Sequence, residues 1–331
     1  MHTDWLGKPY YSLNAYLKNT YHEKCYKIAL DAGLSCPNRD GKVGLNGCIF
    51  CSKGGSGEFA SKLTVCEGSD VIKASISEQL LEGKKRFRAK QTGNLFIAYF
   101  QAYTNTYGPL DYLRKIYSAA LKEPDVIGIS IATRPDCLSR EILNLLSDMK
   151  KLYPDKFIWI ELGLQTIHEK TADFINRGYP LSTFEKAVMD LRELSLPVIV
   201  HVILGLPGET KNDMYETVSY LNSQPIFGIK LQLLHILRDT KLAEMYQSNT
   251  LPFFHILSLD EYMEILIHCI ELLSKDIVIH RVTGDGPKDL LIAPTWSLDK
   301  RNVLNTLHRK MRQSNTYQGR CFDDAGSTDP L

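Results

Sequence analysis

Six short apolar segments alternate with amphipathic stretches between residues 25 and 234, and that rhythm admits few folds. Cys25 to Leu30 (CYKIAL), Asn94 to Phe100 (NLFIAYF), Val126 to Ile131, Phe157 to Leu162, Val198 to Leu204 and Gly228 to Leu234 read as buried strands. Helical periodicity fills Ser69 to Lys90, Leu110 to Lys122, Ser139 to Leu152, Thr183 to Leu194 and Asn212 to Leu221. Strands joined through helices pair in parallel with right-handed crossovers. The expected class is therefore α/β, and six units favour a partial, open (β/α)6 barrel over a closed one. A doubly wound open sheet shares the alternation, and in either fold ligands collect at the carboxyl ends of the strands.

Beyond the sixth strand come a helix (Leu259 to Ser274), a strand-like run (Asp276 to Val282), the turn TGDGP and a last helix (Leu298 to Met311). No linker sets them apart. The expected division is a core over 1–240, with a long loop at 34–56, and a helical and strand C-terminal extension over 241–331 packed on it. The polar stretch from Gln313 is expected to fray.

Composition narrows the class further. Lys and Arg number 39 against 38 Asp and Glu, which excludes a uniformly cationic nucleic-acid binder but not local basic patches. The longest apolar run, Leu196 to Pro207, is broken by His201 and falls short of the roughly 18–20 residues a membrane span needs. The start MHTDWLGKPYYS lacks the basic and apolar regions of a secretory signal, so a cytoplasmic location and no membrane partner are expected. Eight cysteines are too sparse for a disulfide scaffold, and three of them crowd into one Gly/Asn-rich loop.

Those three are Cys36 and the C-x-x-C pair Cys48 and Cys51. Thiolates on a flexible loop can converge on one metal centre. Structural zinc wants four ligands, usually as two pairs, and no second C-x-x-C exists; Cys25, Cys66 or His22 would complete the set only by accident of the fold. A cubane iron–sulfur cluster held by three cysteines instead leaves one iron open to a small ligand.

With Phe50 directly before the third cysteine and the loop directly after the first strand, the pattern resembles the radical S-adenosylmethionine (SAM) superfamily. It departs from the common spacing, in which three residues separate the first two cysteines. The longer gap is similar to the elongator-protein-3-like branch. Ile131 to Asp136 (IATRPD) resembles that branch's E-T-R-P-D; GLQT (Gly163 to Thr166) and INRGY (Ile175 to Tyr179) resemble its G-x-Q-S and N-R-G-H. VHVILGLPGET (Val200 to Thr210), FQAYTNTY after the second strand and GDGPKDLLIAPTW near the end complete the likeness to bacterial radical SAM proteins of the YhcC/YtqA type.

The resemblance implies a 4Fe–4S cluster on Cys36, Cys48 and Cys51, with SAM chelating the fourth iron and yielding a 5′-deoxyadenosyl radical. It places Phe50 at the adenine, Gln101 and Thr104 at the methionine amino group, and Arg134 at the cofactor. It places Gln165 at the ribose and Arg177 at the SAM carboxylate. His201 stands where relatives carry a ribose contact, and Gly205 and Leu206 would approach the adenine. Ala132 departs from the pattern, where many relatives have glutamate. Asn105 and Thr106 would otherwise cap the following helix, and His201 would be a satisfied core residue. The catalytic residue is unassigned.

Lys230, His235, Arg238, Arg281 and Asp285 are candidates for substrate recognition, with salt bridges as the plain alternative. Two basic runs, Lys84, Lys85, Arg86, Arg88 and Lys90, then Lys300, Arg301, His308, Arg309, Lys310 and Arg312, are either solvated faces or phosphate contacts. The resemblance implies a tRNA substrate modified at the wobble uridine and an electron donor such as flavodoxin or ferredoxin. The chain after the sixth strand is too short for the elongator acetyltransferase domain, which points to trimming carboxymethylaminomethyluridine to aminomethyluridine. A small-molecule substrate such as a tetrapyrrole, and a noncatalytic zinc-binding RNA module, are the competing readings.

Overall fold

The computed structural model describes residues 5–55, 71–88, 93–251, 253–284 and 286–322; Cys66, Ser69, Lys90 and Asp285 lie outside them. Strands β1 (Cys25–Leu30), β2 (Leu95–Phe100), β3 (Val126–Thr133), β4 (Phe157–Gln165), β5 (Val198–Leu204) and β6 (Gly228–Leu233) stand side by side in chain order, every pair parallel. The chain then forms β7 (Ile236–Leu237), which pairs antiparallel with β9 (Leu291–Ala293), while β8 (Val278–Arg281) joins the main sheet beside β6. The sheet is an open arc with β1 and β8 as its edges. The strand-like run expected in the extension is thus a seventh member of the arc.

Alternation along the strands sorts their side chains into two faces. Tyr26, Ile28 and Leu30 of β1, Ile158, Ile160, Leu162 and Leu164 of β4, and Val198, Val200, Val202 and Leu204 of β5 face outward into the main apolar core. That core is closed by α2 (Val71–Arg88), α3 (Leu110–Leu121), α4 (Arg140–Leu152), α6 (Leu181–Glu193), α7 (Lys211–Tyr220) and α9 (Leu259–Leu272). The short α5 (Glu169–Phe174) and α8 (Lys241–Gln247) flank the carboxyl ends, and α10 (Lys300–Gln313) packs on α9. Capping boxes start α7 at Thr210 with Asp213 and α9 at Ser258 with Glu261, each closing two otherwise orphaned backbone N–H groups.

The inward face is built in layers. At the amino ends of the strands, Ile97, Trp159 and Ile199 pack with Leu17 of α1 (Leu13–Tyr21), and Tyr16 sets its ring edge-on to Phe227. This helix, capped by the Ser12 hydroxyl and ended by His22 in the left-handed region, reads in the sequence only as a polar lead-in. Its entry segment also joins the sheet edge, where the Ile279 N–H donates to the Tyr11 carbonyl at 2.8 Å. The next layer is polar: Lys27, Tyr99, Ser130, Glu161, His201 and Lys230. Above it, Ala29, Gln101, Ala132, Gly163 and Ile203 line an open cavity.

The first basic run does not form a free patch. Lys84 is buried, with its ammonium 2.8 Å from Glu123 and 2.5 Å from Asp125, because it packs α2 against the turn before β3. Arg86 pairs with Glu82, and Lys85 is exposed. On α10, Lys310 pairs with Asp260 at 2.7 Å and His308 is half-buried against Tyr10, while Arg301, Arg309 and Arg312 are exposed.

Candidate active site

The loop after β1 is held in place by backbone carbonyls rather than regular structure. Gln79 of α2 exchanges two hydrogen bonds with the Asp31 backbone, both at 2.9 Å, and fixes where the loop departs. Arg39 donates to the carbonyls of Cys51 and Ser52 at 2.8 and 2.6 Å, folding the loop back on itself. Tyr103, after β2, donates its N–H to the Gly55 carbonyl at 2.9 Å and its hydroxyl to that of Lys53. Gly55 has φ +59°, and a Cβ there would run into the Tyr103 ring, so the position requires glycine. Leu242 of α8 donates to the Ile49 carbonyl at 2.8 Å, so the C-terminal part of the chain also grips the loop.

The INRGY segment is the second grip. Asn176, at φ +56°, donates to the Gly47 carbonyl at 2.6 Å, while Asn38 donates to the Asn176 carbonyl at 2.7 Å and lies 3.8 Å from the Cys48 sulfur. Tyr179 donates its hydroxyl to the Gly163 carbonyl at the end of β4. These contacts bring Cys36, Cys48 and Cys51 to the rim of one cavity of about 420 Å³, within the usual range for ligand sites. Burial raises the Cys48 thiol to about 12, with Cys51 next in effect.

Two arginines of the same rim are committed to the protein. Arg177 is 1% exposed; it donates to the carbonyls of Tyr179 (3.0 Å), Leu164 (3.1 Å) and Thr166 (2.7 Å) and to Glu169 (3.0 Å). Four of its five N–H groups are therefore engaged within the protein, and the residue still lines the cavity. Arg134 forks onto both oxygens of Asp136 at 2.9 and 2.8 Å and donates to the Arg177 carbonyl at 2.9 Å. Both guanidinium groups stack on Tyr179, at 4.9 and 4.8 Å from its ring centre.

Phe50, Gln101, Thr104, Gln165, His201, His235 and Arg281 also line the cavity. Gln165 adopts φ +69° at a register slip in β4, and its buried Oε1 has no hydrogen-bond partner. A Cβ on Gly163 would lie 2.8 Å from its amide nitrogen, so that glycine makes room for the side chain. Three thiols and an orphaned buried acceptor on one cavity fit an iron–sulfur cluster with a polar organic ligand beside it. Among the described residues, the groups whose ligand atoms all lie within 4.8 Å of one another are His268, Glu271 and Cys321, and His168, Asp213 and Glu216. The loop thiols are not such a group, although sulfurs sharing one zinc at Zn–S of about 2.3 Å would be closer than that.

Some expected residues lie elsewhere. Gly205 packs toward Leu257 and Leu206 is buried in a second apolar cluster with Ile49 and Ile175, behind the loop rather than on the cavity wall. Arg238 is exposed and off the cavity, because its backbone N–H is drawn to the Leu290 carbonyl. Asn105 and Thr106 do not cap α3, whose N-cap is Pro109. Asn105 donates to the Ala102 and Ala132 carbonyls, both at 3.0 Å, and Thr106 bonds Thr133 and the Cys137 carbonyl.

Lys230, a candidate for substrate recognition, sits below the cavity wall in a polar network across the floor. Glu161, fully buried, accepts from Lys27 (2.8 Å) and Ser130 (2.5 Å) on one oxygen and from His201 (2.7 Å) and Lys230 on the other. Burial alone would raise the Glu161 carboxyl, but Lys230 and Lys27 outweigh it and hold it well below its ordinary range. Burial, then the Lys230 charge, take His201 down to about 4; the ring is neutral, with its proton on Nε2 facing the carboxylate. Lys27, Tyr99 and Glu161 escaped the sequence reading. For Lys27 and Glu161 the signal was present, as a charged residue inside each of the apolar runs CYKIAL and IWIEL.

An open parallel arc with three cysteines at the carboxyl end of its first strand is the architecture of a superfamily, and the comparisons agree. Residues 42–221 match the Radical SAM superfamily and residues 226–313 the Radical_SAM C-terminal domain. The chain belongs to the radical SAM superfamily. It is 39% identical to the uncharacterized protein YtqA of Bacillus subtilis over 315 residues, covering 95% of this chain and 93% of that protein. A tRNA uridine(34) acetyltransferase of Methanocaldococcus jannaschii is 26% identical over 217 residues, 64% of this chain and 37% of that protein. The solved structure of archaeal Methanocaldococcus infernus Elp3 with an N-terminal deletion superposes with a TM-score of 0.64 at 14% identity, covering 89% of this chain and 64% of that one. Among the described residues, no helix is long and apolar enough to cross a membrane.

Proposed function

We propose that this radical SAM protein acts on tRNA and converts the C5 side chain of the wobble uridine, removing the carboxymethyl part of carboxymethylaminomethyluridine as glyoxylate to leave aminomethyluridine, with SAM cleavage as the two-electron oxidant and water hydrolysing the resulting imine. The convergence of Cys36, Cys48 and Cys51 on one strand-end cavity carries the reading. In it these three residues would hold a 4Fe–4S cluster that, reduced by a donor such as flavodoxin or ferredoxin, would supply the electron that splits SAM into methionine and a 5′-deoxyadenosyl radical. Phe50 sits beside the adenine, Gln165 Oε1 takes a ribose hydroxyl, and Gln101 and Thr104 face the methionine amino group. Arg134 and Arg177 hold the rim in shape, the role their hydrogen bonds support. The likeness to an enzyme named for uridine 34 of tRNA supports the substrate class. An unpaired anticodon base is accessible to a recessed cavity of this kind.

The test has two arms. Anaerobically reconstituted protein is expected to bind about one cubane cluster and to cleave SAM, and alanine at Cys36, Cys48 or Cys51 to abolish iron binding. Alanine at the core residue Cys269 should retain it. In a deletion strain, nucleoside mass spectrometry should show carboxymethylaminomethyluridine accumulating at the expense of aminomethyluridine and its derivatives. Stoichiometric zinc without SAM cleavage overturns the cofactor assignment, and an unaltered nucleoside profile overturns the substrate.

A further inference from the structure

Among the described residues, the polar layer under the cavity carries more positive charge than it balances. Among the described lining residues, Glu161 is the one carboxylate, and its two oxygens already accept from Lys27, Ser130, His201 and Lys230. A carboxylate offers about four lone-pair positions, so Glu161 has no capacity for a substrate donor. His201 is neutral. Two ammonium groups therefore face one carboxylate, in a layer where Lys230 is 2% exposed and Glu161 is fully buried. The carboxylate side chains beside the rim are taken as well, since Arg134 holds Asp136 and Arg177 holds Glu169.

Of the two ammonium groups in this layer, Lys27 is the one that reaches the open space. Its side chain is 20% exposed, it lines the cavity, and of its three N–H groups one is directed at Glu161. The Tyr99 and Trp159 rings, at 4.9 and 5.6 Å, hold the ammonium from the sides. Arg281 lines the same cavity from β8. We propose that the floor is a recognition site for a single carboxylate at the reacting end of the substrate, with Lys27 as the residue that binds it. Lys230, fixed by Glu161 and by the Tyr99 hydroxyl at 3.0 Å, sets the field without touching the ligand. Burial draws Lys230 down to about 7, and an arriving carboxylate would keep it protonated.

This inference rests on the wobble-uridine reading for its biological substrate, and it singles out the acidic end of the carboxymethylaminomethyl group as what the enzyme reads. Its test is independent of RNA. The reconstituted, SAM-bound protein is titrated with trifluoroacetate and with trifluoroacetamide, and fluorine line broadening reports binding. The acid should bind about tenfold more tightly than the neutral amide, the order of a charge-assisted contact. Lys27→Gln should remove that preference, Lys27→Arg should retain it, and Arg238→Gln, off the cavity, should leave it unchanged. Equal binding of acid and amide by the wild type overturns the proposal, as does a preference that survives in Lys27→Gln with its cluster loaded. Should Lys27→Gln fail to load a cluster, Arg281→Gln takes its place, with a weakened preference expected and an undiminished one counting against the site. Inorganic phosphate that outcompetes trifluoroacetate assigns the floor to a phosphate and also overturns it. A normal nucleoside profile in the deletion strain would sink the tRNA reading alone and leave a carboxylate floor in place.

Discussion

The rim and the floor of the cavity both concentrate basic side chains, and they use them differently. At the rim, Arg39, Arg134 and Arg177 donate to backbone carbonyls of the cysteine loop, of the INRGY segment and at the end of β4, and Arg134 and Arg177 each hold one carboxylate of their own. On the floor, Lys27, Lys230 and His201 converge on one carboxylate. Carbonyls leave the charge in place but satisfy the donors, so rim arginines fix geometry. Shared use of one carboxylate satisfies neither charge nor every donor, so the floor stays receptive to an anion.

Removing the shared anion is the most severe way to break the contrast. Glu161→Gln leaves two ammonium groups without their counter-charge in a buried layer and should cost roughly 3–5 kcal/mol in urea denaturation. Adding Lys230→Met to it should recover part of the loss, because the more deeply buried of the two charges is then gone. A shift below about 1 kcal/mol would mean that the floor is balanced by something other than Glu161.

At the rim the expected cost is about 3 kcal/mol for Arg177→Ala, which strands three carbonyls with Glu169 still able to reach water. Lysine should not restore it, since one ammonium cannot reproduce the fork. Unchanged denaturation midpoints with weakened SAM binding would reverse the assignment and return Arg177 to the ligand.

A pH titration sharpens the contrast from the floor side. His201 titrates near 4 in the fold and near its ordinary 6.5 in the unfolded chain, so between those values the unfolded state holds a proton that the folded state refuses. Stability from this group is complete above about 6.5 and falls toward pH 4 by on the order of 2–3 kcal/mol. His201→Gln should flatten that slope, and an equal slope in the variant would place the titration elsewhere.

The smallest effect separates neighbours on α2. Lys84→Ala, breaking two ion pairs of a buried ammonium, should cost about 1–2 kcal/mol, and Lys85→Ala under about 0.5 kcal/mol. Only exposed members of that run can be tested as RNA contacts, because reversing Lys84 would unfold the surface it is meant to probe.

The strands were legible because apolar runs of six or seven residues between amphipathic stretches leave little choice, and the cysteine loop because its spacing is local. The short β8 was read as an apolar run, but its place beside β6 depends on a partner some fifty residues back, which no local pattern encodes. Arg177 shows the same limit at the site. Its motif fixes where the guanidinium is, whereas the direction of each N–H depends on carbonyls freed at the end of β4 and just beyond it. Lys27 and Glu161 lie 134 residues apart, and each alone resembles a stray charge in a strand. α1 escaped because LNAYLKNTY is weakly apolar; it buries Ala15 and Leu17 only because the arc offers them a floor.

That first helix also bears on how the molecule behaves among copies of itself. An arc that does not close has two strand edges, and an exposed edge is a template on which other chains can pair. Residues 11 and 12 lie along β8, and α1 contacts both β8 and β1, so one short segment covers part of the β8 border while it plugs the greasy underside. Trimming the chain back past Tyr21 would therefore uncover sticky backbone and apolar side chains together, and the damage would surface as self-association in concentrated solution before it registered as a lower melting temperature.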